Sequence, residues 1–240
     1  MSDIVLVKKS KGIALVTMNR PKQGNAMCME MYPLLPAALN DATADKTIKV
    51  VVLTGAGKFF TTGADVAQAA KSMMEGGDVD DLKNNLRSGP IVLTQTIIDF
   101  PKILVAAVNG PVVGFPAGLL GLCDLVFAAE SASYQTPFMH LGLVPEGASS
   151  HTIPRITGNA MAMDLLLTNR KLSAKEMVQC QIASRVLPNE GFLEKALTII
   201  GRGAAASSAG SLLEAKRLIR KLNAEKVSRD YKEEADALVA

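Results

Sequence analysis

Two stretches of this chain are almost wholly apolar, and both run straight into glycine: IKVVVLTGAG (48–57) and KILVAAVNGP (102–111). Short runs dominated by β-branched residues and closed by turn residues read as buried strands. Each is far shorter than the roughly 20 residues of a membrane span. Around them the pattern alternates. Ile4 to Val7 and Ile13 to Met18 read as a hairpin around KSKG, and AMCMEMYPLLPAALNDA has helical spacing despite two prolines. FFTTGADVAQAAKSMM reads as a loop leading into a helix, and a second helical stretch runs from Leu82 towards Phe100. VVGFPAGLLGLCDLVFAAE reads as glycine loop, short helix and strand. Alternating strands and helices predict an α/β domain. Beyond Pro188 nearly every residue is helix-forming, with a small-residue break near residues 204–210. We therefore expect a core domain over 1–188 and a C-terminal helical segment over 189–240.

The length of 240 residues, with 48% hydrophobic and 20% charged, suits one large domain or a domain with a small appendage. A net charge of +3 argues against a nucleic-acid binder and leaves room for a small anionic ligand. Cys28, Cys123 and Cys180 are odd in number and widely spaced. They suggest neither a disulfide framework nor a zinc site, so a reducing compartment is expected. The start reads as strand, turn, strand rather than a targeting presequence, and the ending DALVA is not a peroxisomal tripeptide.

GKFFTTGADV and NGPVVGFPAG each follow a buried strand and end where a helix should begin. The first backbone N–H groups of a helix lack partners and can receive an anion. Two such turns brought together could aim two donors at one oxygen, although glycine after a strand is most often only a turn. One acid stands in unusual company: Glu146, within LGLVPEGASS. It reads either as a helix-start acid favoured by the dipole or as a base held in a dry pocket.

Several ordered motifs resemble the enoyl-CoA hydratase/isomerase (crotonase) family. TGAGKFFTTGADV is similar to its F-x-x-G-x-D segment, and AAVNGPVVGFPAGLLGLCDLVFAAESASYQTP to its A-x-x-N-G-x-x-x-G segment with the downstream C-D pair. RPKQGNAM resembles its N-terminal turn. RKLSAKEMVQCQIASRVLP resembles its L-x-A-x-E-A segment, with Gln181 and Ile182 where Gly-Leu is common. The resemblance runs from about Ile4 to Leu187. It implies a spiral of ββα units, an acyl-CoA substrate with no metal or redox cofactor, and C-terminal helices that make a homotrimer or a dimer of trimers. It also implies an oxyanion hole from the N–H groups of Ala64 and Phe115.

The same resemblance decides between reactions. The family's hydratases carry one glutamate six residues before the Asp of the C-D pair, and another after a proline further on. Here those positions are Gly118 and Phe138. TPFMHLGLVPEGASSHTIP is instead similar to Δ3,Δ2-enoyl-CoA isomerases of peroxisomal type, which implies Glu146 as a single base shuttling a proton from C2 to C4. Two other readings stay open: a different crotonase reaction through the same enolate, or a non-catalytic acyl-CoA- or RNA-binding member. The implied substrate and CoA surface is Arg20, Lys22, Asn25, Ala26, Thr62, Gly63, Ala64, Asp65, Val66, Gly114 and Phe138. Asp65 also reads as a helix cap. Among Lys216, Arg217, Arg220 and Lys221, one base is expected to meet the CoA 3′-phosphate. His140, His151, Ser149 and Ser150 lie near Glu146 but read as packing, turn or surface residues, and Cys123 as core. Met73, Leu82 and Leu86 are candidates for the acyl tunnel. The compartment is left open between a bacterial cytoplasm, mitochondrion and peroxisome.

Overall fold

A computed structural model describes residues 4–221 and 223–239, with side chains at all of these positions except 69, 72, 73, 79 and 224. The chain enters through a hairpin. Lys11 and Gly12 both adopt positive φ (50° and 80°), the conformation a two-residue turn requires, so β1 (Val5–Ser10) pairs antiparallel with β2 (Ile13–Met18). α1 (Met31–Ala44) then leads to β3 (Val50–Gly55). α2 (Val66–Met74), α3 (Val79–Leu86) and α4 (Val92–Ile98) follow. A five-residue π-helical turn over Arg87–Ile91 joins α3 to α4. It contains Pro90, which cannot donate to the helix ladder, so the expected helical stretch towards Phe100 is continuous but widens to a π turn at this point. Next come β4 (Ile103–Val108), β5 (Val112–Val113), α5 (Phe115–Leu119), β6 (Leu125–Ala129) and β7 (Ser133–Gln135). α6 (Ser149–Thr157), α7 (Asn159–Thr168), β8 (Leu172–Ser173), α8 (Ala174–Gln179) and β9 (Arg185–Leu187) complete the core. α9 (Phe192–Arg202), α10 (Ala209–Arg220) and α11 (Ala224–Leu238) end the chain.

The larger sheet has the order β1-β2-β3-β4-β6-β9 and is parallel from β2 onward. The apolar runs are explained by its position, because it is buried on both faces. Val50 and Val52 of β3, with Val105 and Ala107 of β4, face a core closed by Phe192, Ala196 and Ile200 of α9. Val51, Leu104, Ala106 and Val108 point to the opposite, larger core. A small second sheet, β5-β7-β8, is extended by a parallel bridge between Thr61 and Val112. The same unit therefore occurs three times. A strand of the large sheet is followed by an extended piece of the small layer and then a helix: β3, Thr61, α2; β4, β5, α5; β6, β7, α6. This is a spiral of ββα turns, and each turn ends on a helix start.

The segment after residue 188 is helical but not a loose appendage. α9 closes the second core, and α11 packs on α4 and α6. α10 inserts Lys216, whose Nζ meets Asp124 Oδ2 at 2.9 Å and donates to the carbonyls of Phe100 (2.8 Å) and Lys102 (2.6 Å). Burial pushes the Lys216 ammonium down to about 8 despite this partner. Asp124 also accepts from Arg220 at 2.7 Å and from the Leu104 amide at 2.8 Å. No helix among the described residues is long and apolar enough to cross a membrane. Removing Lys216 leaves Asp124 with Arg220 and the Leu104 amide, but strips the carbonyls of Phe100 and Lys102 of this buried donor. Lys216→Ala should therefore cost about 3 kcal/mol in urea unfolding. A loss under about 1 kcal/mol would show that this lysine does not fasten α10 to the core.

Candidate active site

The first two helix starts meet because their approaches run side by side. Thr61 pairs with Val112, the Thr61 amide donates to Pro111 O at 3.2 Å, and the Val113 amide donates to Thr61 O at 3.1 Å. Continuing that register by three residues sets Ala64 beside Phe115. The turn between needs glycine on both strands. Gly63 has φ 95° and Gly114 has φ 70°, and a Cβ on Gly63 would stand 2.9 Å from Val113 O. Beyond these glycines, the N–H groups of Ala64 and Phe115 meet no acceptor among the described residues. They are two free donors on neighbouring turns, the arrangement an oxyanion needs.

The N-terminal turn supports the first of them. Asn25 is fully buried; its Nδ2 donates to Ala56 O (2.9 Å) and Phe59 O (2.8 Å), and its Oδ1 accepts the Arg20 amide (2.9 Å). Thr61 Oγ1 donates to Asn25 O at 2.8 Å, the Thr62 amide to Gly24 O at 3.0 Å, and the Met27 amide to Gly63 O at 2.8 Å. Several residues of the expected substrate and CoA surface are engaged within the fold. The Asn25 side chain is consumed by backbone. Arg20 bonds Ala26 O at 2.6 Å and Asp65 at 2.8 Å. Asp65 caps α2 through Oδ1, which accepts the Gln68 amide at 3.1 Å, and is held ionised by Arg20. Ala26 is buried, and Phe138 packs 1% exposed in the main core. Lys22, Thr62 and Val66 are exposed near the turn.

Glu146 lies on the turn that enters α6. Gly147 and Ala148 both adopt left-handed backbone (φ 69° and 60°), a conformation that costs alanine roughly 1–2 kcal/mol. The turn lies flat on α5. A Cβ at Gly118 would fall 2.3 Å from Glu146 O, and one at Gly147 would fall 3.0 Å from Phe115 O. Glu146 is 6% exposed, and no hydrogen bond reaches its carboxylate among the described residues. Burial, with a smaller contribution from the charge of Glu234, pushes its pKa up to about 7. It does not cap α6. That duty falls to Glu234 of α11, which accepts the amides of Ala148 (2.6 Å) and Ser150 (3.0 Å) and a short bond from Ser150 Oγ. Of the other groups near Glu146, His151 is paired through Nδ1 with Asp230 at 2.6 Å. His140 is exposed against Asn169. Ser149 Oγ is buried without a partner.

A groove of about 630 Å³ opens from Ala64. Met27, Met29, Tyr32 and Pro90 line it, together with Leu82 and Leu86, the two expected tunnel residues. The Met73 side chain lies outside the described residues. Tyr32 links groove to site: its ring lies 6.1 Å from that of Phe115. The expected phosphate base from α10 is partly corrected. Lys216 and Arg220 are tied to Asp124, and Arg217 is paired with Glu214. Sequence reasoning passed over Glu234 altogether. It sits in a helix of alternating charges and reaches α6 across 86 residues of chain, and no local pattern distinguishes it from its exposed neighbours.

Residues 8–238 match the family model described as enoyl-CoA hydratase/isomerase, and the chain belongs to that family. It is 38% identical over 98% of its length to enoyl-CoA delta isomerase 2 of Rattus norvegicus, covering 59% of that protein. It is 33% identical over 93% of its length to enoyl-CoA delta isomerase 3, peroxisomal, of Mus musculus, covering 69%. The chain thus spans about three fifths of the first of these curated relatives. Pseudomonas aeruginosa OdaA superposes with a TM-score of 0.89 at 32% identity, covering 99% of this chain and 93% of that one. The fold is the crotonase spiral.

A carboxyl whose folded pKa is raised destabilises the fold once the unfolded chain would ionise. For Glu146 this penalty is absent below the ordinary value of 4.5, grows as pH rises, and is complete above about 7. Glu146→Gln should therefore gain stability over wild type between pH 4.5 and pH 8, by about 3 kcal/mol across that window. A difference that stays constant with pH would show that Glu146 is not a buried, lifted acid.

Proposed function

We propose that this chain is a Δ3,Δ2-enoyl-CoA isomerase of fatty-acid β-oxidation, with Glu146 as its single acid–base. The observation that carries the reading is a buried carboxylate without hydrogen bonds, set against the helix whose first amide is one of two free donors. In the reaction, Glu146 takes a C2 proton from a 3-enoyl thioester. The electron pair delocalises onto the thioester oxygen, which the Ala64 and Phe115 N–H groups stabilise. The carboxylic acid then returns the proton at C4, leaving the double bond between C2 and C3. A base with a raised proton affinity suits this task because it must both take and give the proton. The groove lined by Leu82 and Leu86 would take the acyl chain.

Hydration is disfavoured by more than a missing residue. The Gly118 position is closed to any side chain by the carbonyl of Glu146 itself, so a second carboxylate there and this Glu146 turn exclude each other. The relatives named as delta isomerases support the same reaction. The proposal includes assembly as a homotrimer or a dimer of trimers. Leu213, Leu218 and Ile219 of α10 stand exposed and fit such a contact.

The test is turnover of a 3-enoyl-CoA, followed by the absorbance of the conjugated thioester. Wild type should isomerise it, and Glu146→Gln should lose about 10³-fold in kcat. Wild-type kcat/KM should rise with pH through about 7 and then level, because the base works only when ionised. Equal turnover in the variant would remove Glu146 from the mechanism. Hydration of 2-enoyl-CoA without isomerisation would replace the reaction, and no turnover with acyl-CoA binding would favour a binding module. Gly118→Glu should lose folded protein and gain no hydration.

A further inference from the structure

The turn that carries Glu146 is not stable on local grounds. Two consecutive residues, Gly147 and Ala148, are left-handed, and the second is not glycine. The turn opens into the first amides of α6, which have no acceptor of their own within the helix. Both needs are met from the far end of the chain. Glu234 is 7% exposed and accepts the amide of the strained Ala148, the amide of Ser150 and the Ser150 hydroxyl. Its own helix is fixed nearby by two further bonds. Tyr231 Oη donates to Ile91 O at 3.1 Å, and Asp230 meets His151 at 2.6 Å.

We propose that Glu234 is a positioning residue for Glu146: by holding the amides of Ala148 and Ser150 it fixes the turn that keeps the Glu146 carboxylate dry and against α5. The proposal rests on the reading of Glu146 as the base. The two carboxyls divide the available bonds unequally. Glu234 holds three donors, whereas Glu146 holds none among the described residues. Burial raises the Glu234 carboxyl as well, its three donors pull against that rise, and its charge adds to the burial that lifts Glu146. Tyr32 from α1 and Tyr231 from α11 also face this pair. Arg155, Lys226 and Glu233 stand in the outer cleft beside Glu234 and the His151–Asp230 pair.

The test compares Glu234→Gln and Glu234→Ala with wild type in the full chain. Two readouts are used: kinetics on trans-3-hexenoyl-CoA, and pH-difference infrared spectroscopy. In the second, the protonated-carboxyl band missing from Glu146→Gln identifies Glu146. Glu234→Gln keeps an acceptor but loses the charge. It should lower the Glu146 midpoint by about half a pH unit or more and reduce kcat about tenfold, with KM within about threefold. Glu234→Ala should lose about a hundredfold in kcat, again with little change in KM. If the alanine variant does not fold, the glutamine variant carries the test alone. A Glu146 midpoint that stays put in Glu234→Gln overturns the proposal, whether or not stability falls, because a mere helix cap would behave that way. Wild type without isomerase turnover, but with a midpoint that moves, would refute the reaction and leave the coupling standing. Normal turnover with neither readout changed would refute the coupling alone.

Discussion

Everything at this site depends on the parallel pairing of Thr61 with Val112. That bridge is short, yet it fixes which residue of the first spiral turn lies beside which residue of the second. The approach is close throughout: a Cβ on Gly110 would fall 1.9 Å from Lys58 O, and one on Gly63 would fall 2.9 Å from Val113 O. Glycine is required on both segments because backbone lies against backbone. A shift of one residue would take Ala64 out of line with Phe115 and separate the two free amides. The N-terminal turn is built for the same end. Asn25, Arg20 and Asp65 brace this register from the side.

The third spiral turn adds a group of opposite character. The first two contribute peptide N–H groups, neutral donors that carry no charge-burial penalty. The third contributes a carboxyl, and burial makes its charged form expensive. The structure keeps it buried, at 6% exposed, on a turn whose backbone lies against Gly118 of α5. The strain of that turn is countered by Glu234, which brings the C-terminal helix into the account of the site. Under the proposed reaction, stability and chemistry pull in opposite directions at Glu146, as they do where a site needs a destabilised group.

Much of this was legible in the sequence, for identifiable reasons. The buried strands announce themselves by continuous β-branched runs, and the two donor turns by glycines at helix starts. Glu146 stands out because an acid sits among Val144, Pro145 and Gly147. What was not legible is which way a side chain turns. Asn25, Arg20 and Asp65 occupy positions that the family resemblance assigns to the substrate surface, but a motif does not say whether a polar side chain serves a ligand or the backbone. Lys216, Arg220 and Glu234 look alike in a charged helical segment. Only the packing of α10 and α11 shows that Lys216 and Glu234 are buried and bonded, and that the half-buried Arg220 is tied to Asp124, while Arg217 and Lys221 face water. Phe138 reads as a missing glutamate in the motif and becomes a core residue in the fold.

The central claim is that one dry carboxyl both takes and returns the proton. A single-turnover reaction of 3-enoyl-CoA deuterated at C2 tests it most directly, with the label at C4 of the product read by mass spectrometry and NMR. A shielded Glu146 returns the hydrogen it removed faster than water can exchange it, so a substantial fraction of the deuterium should appear at C4. Product carrying only solvent hydrogen at C4, even in the fastest turnover, would mean that a different group or a water molecule delivers the proton, and the account would be wrong.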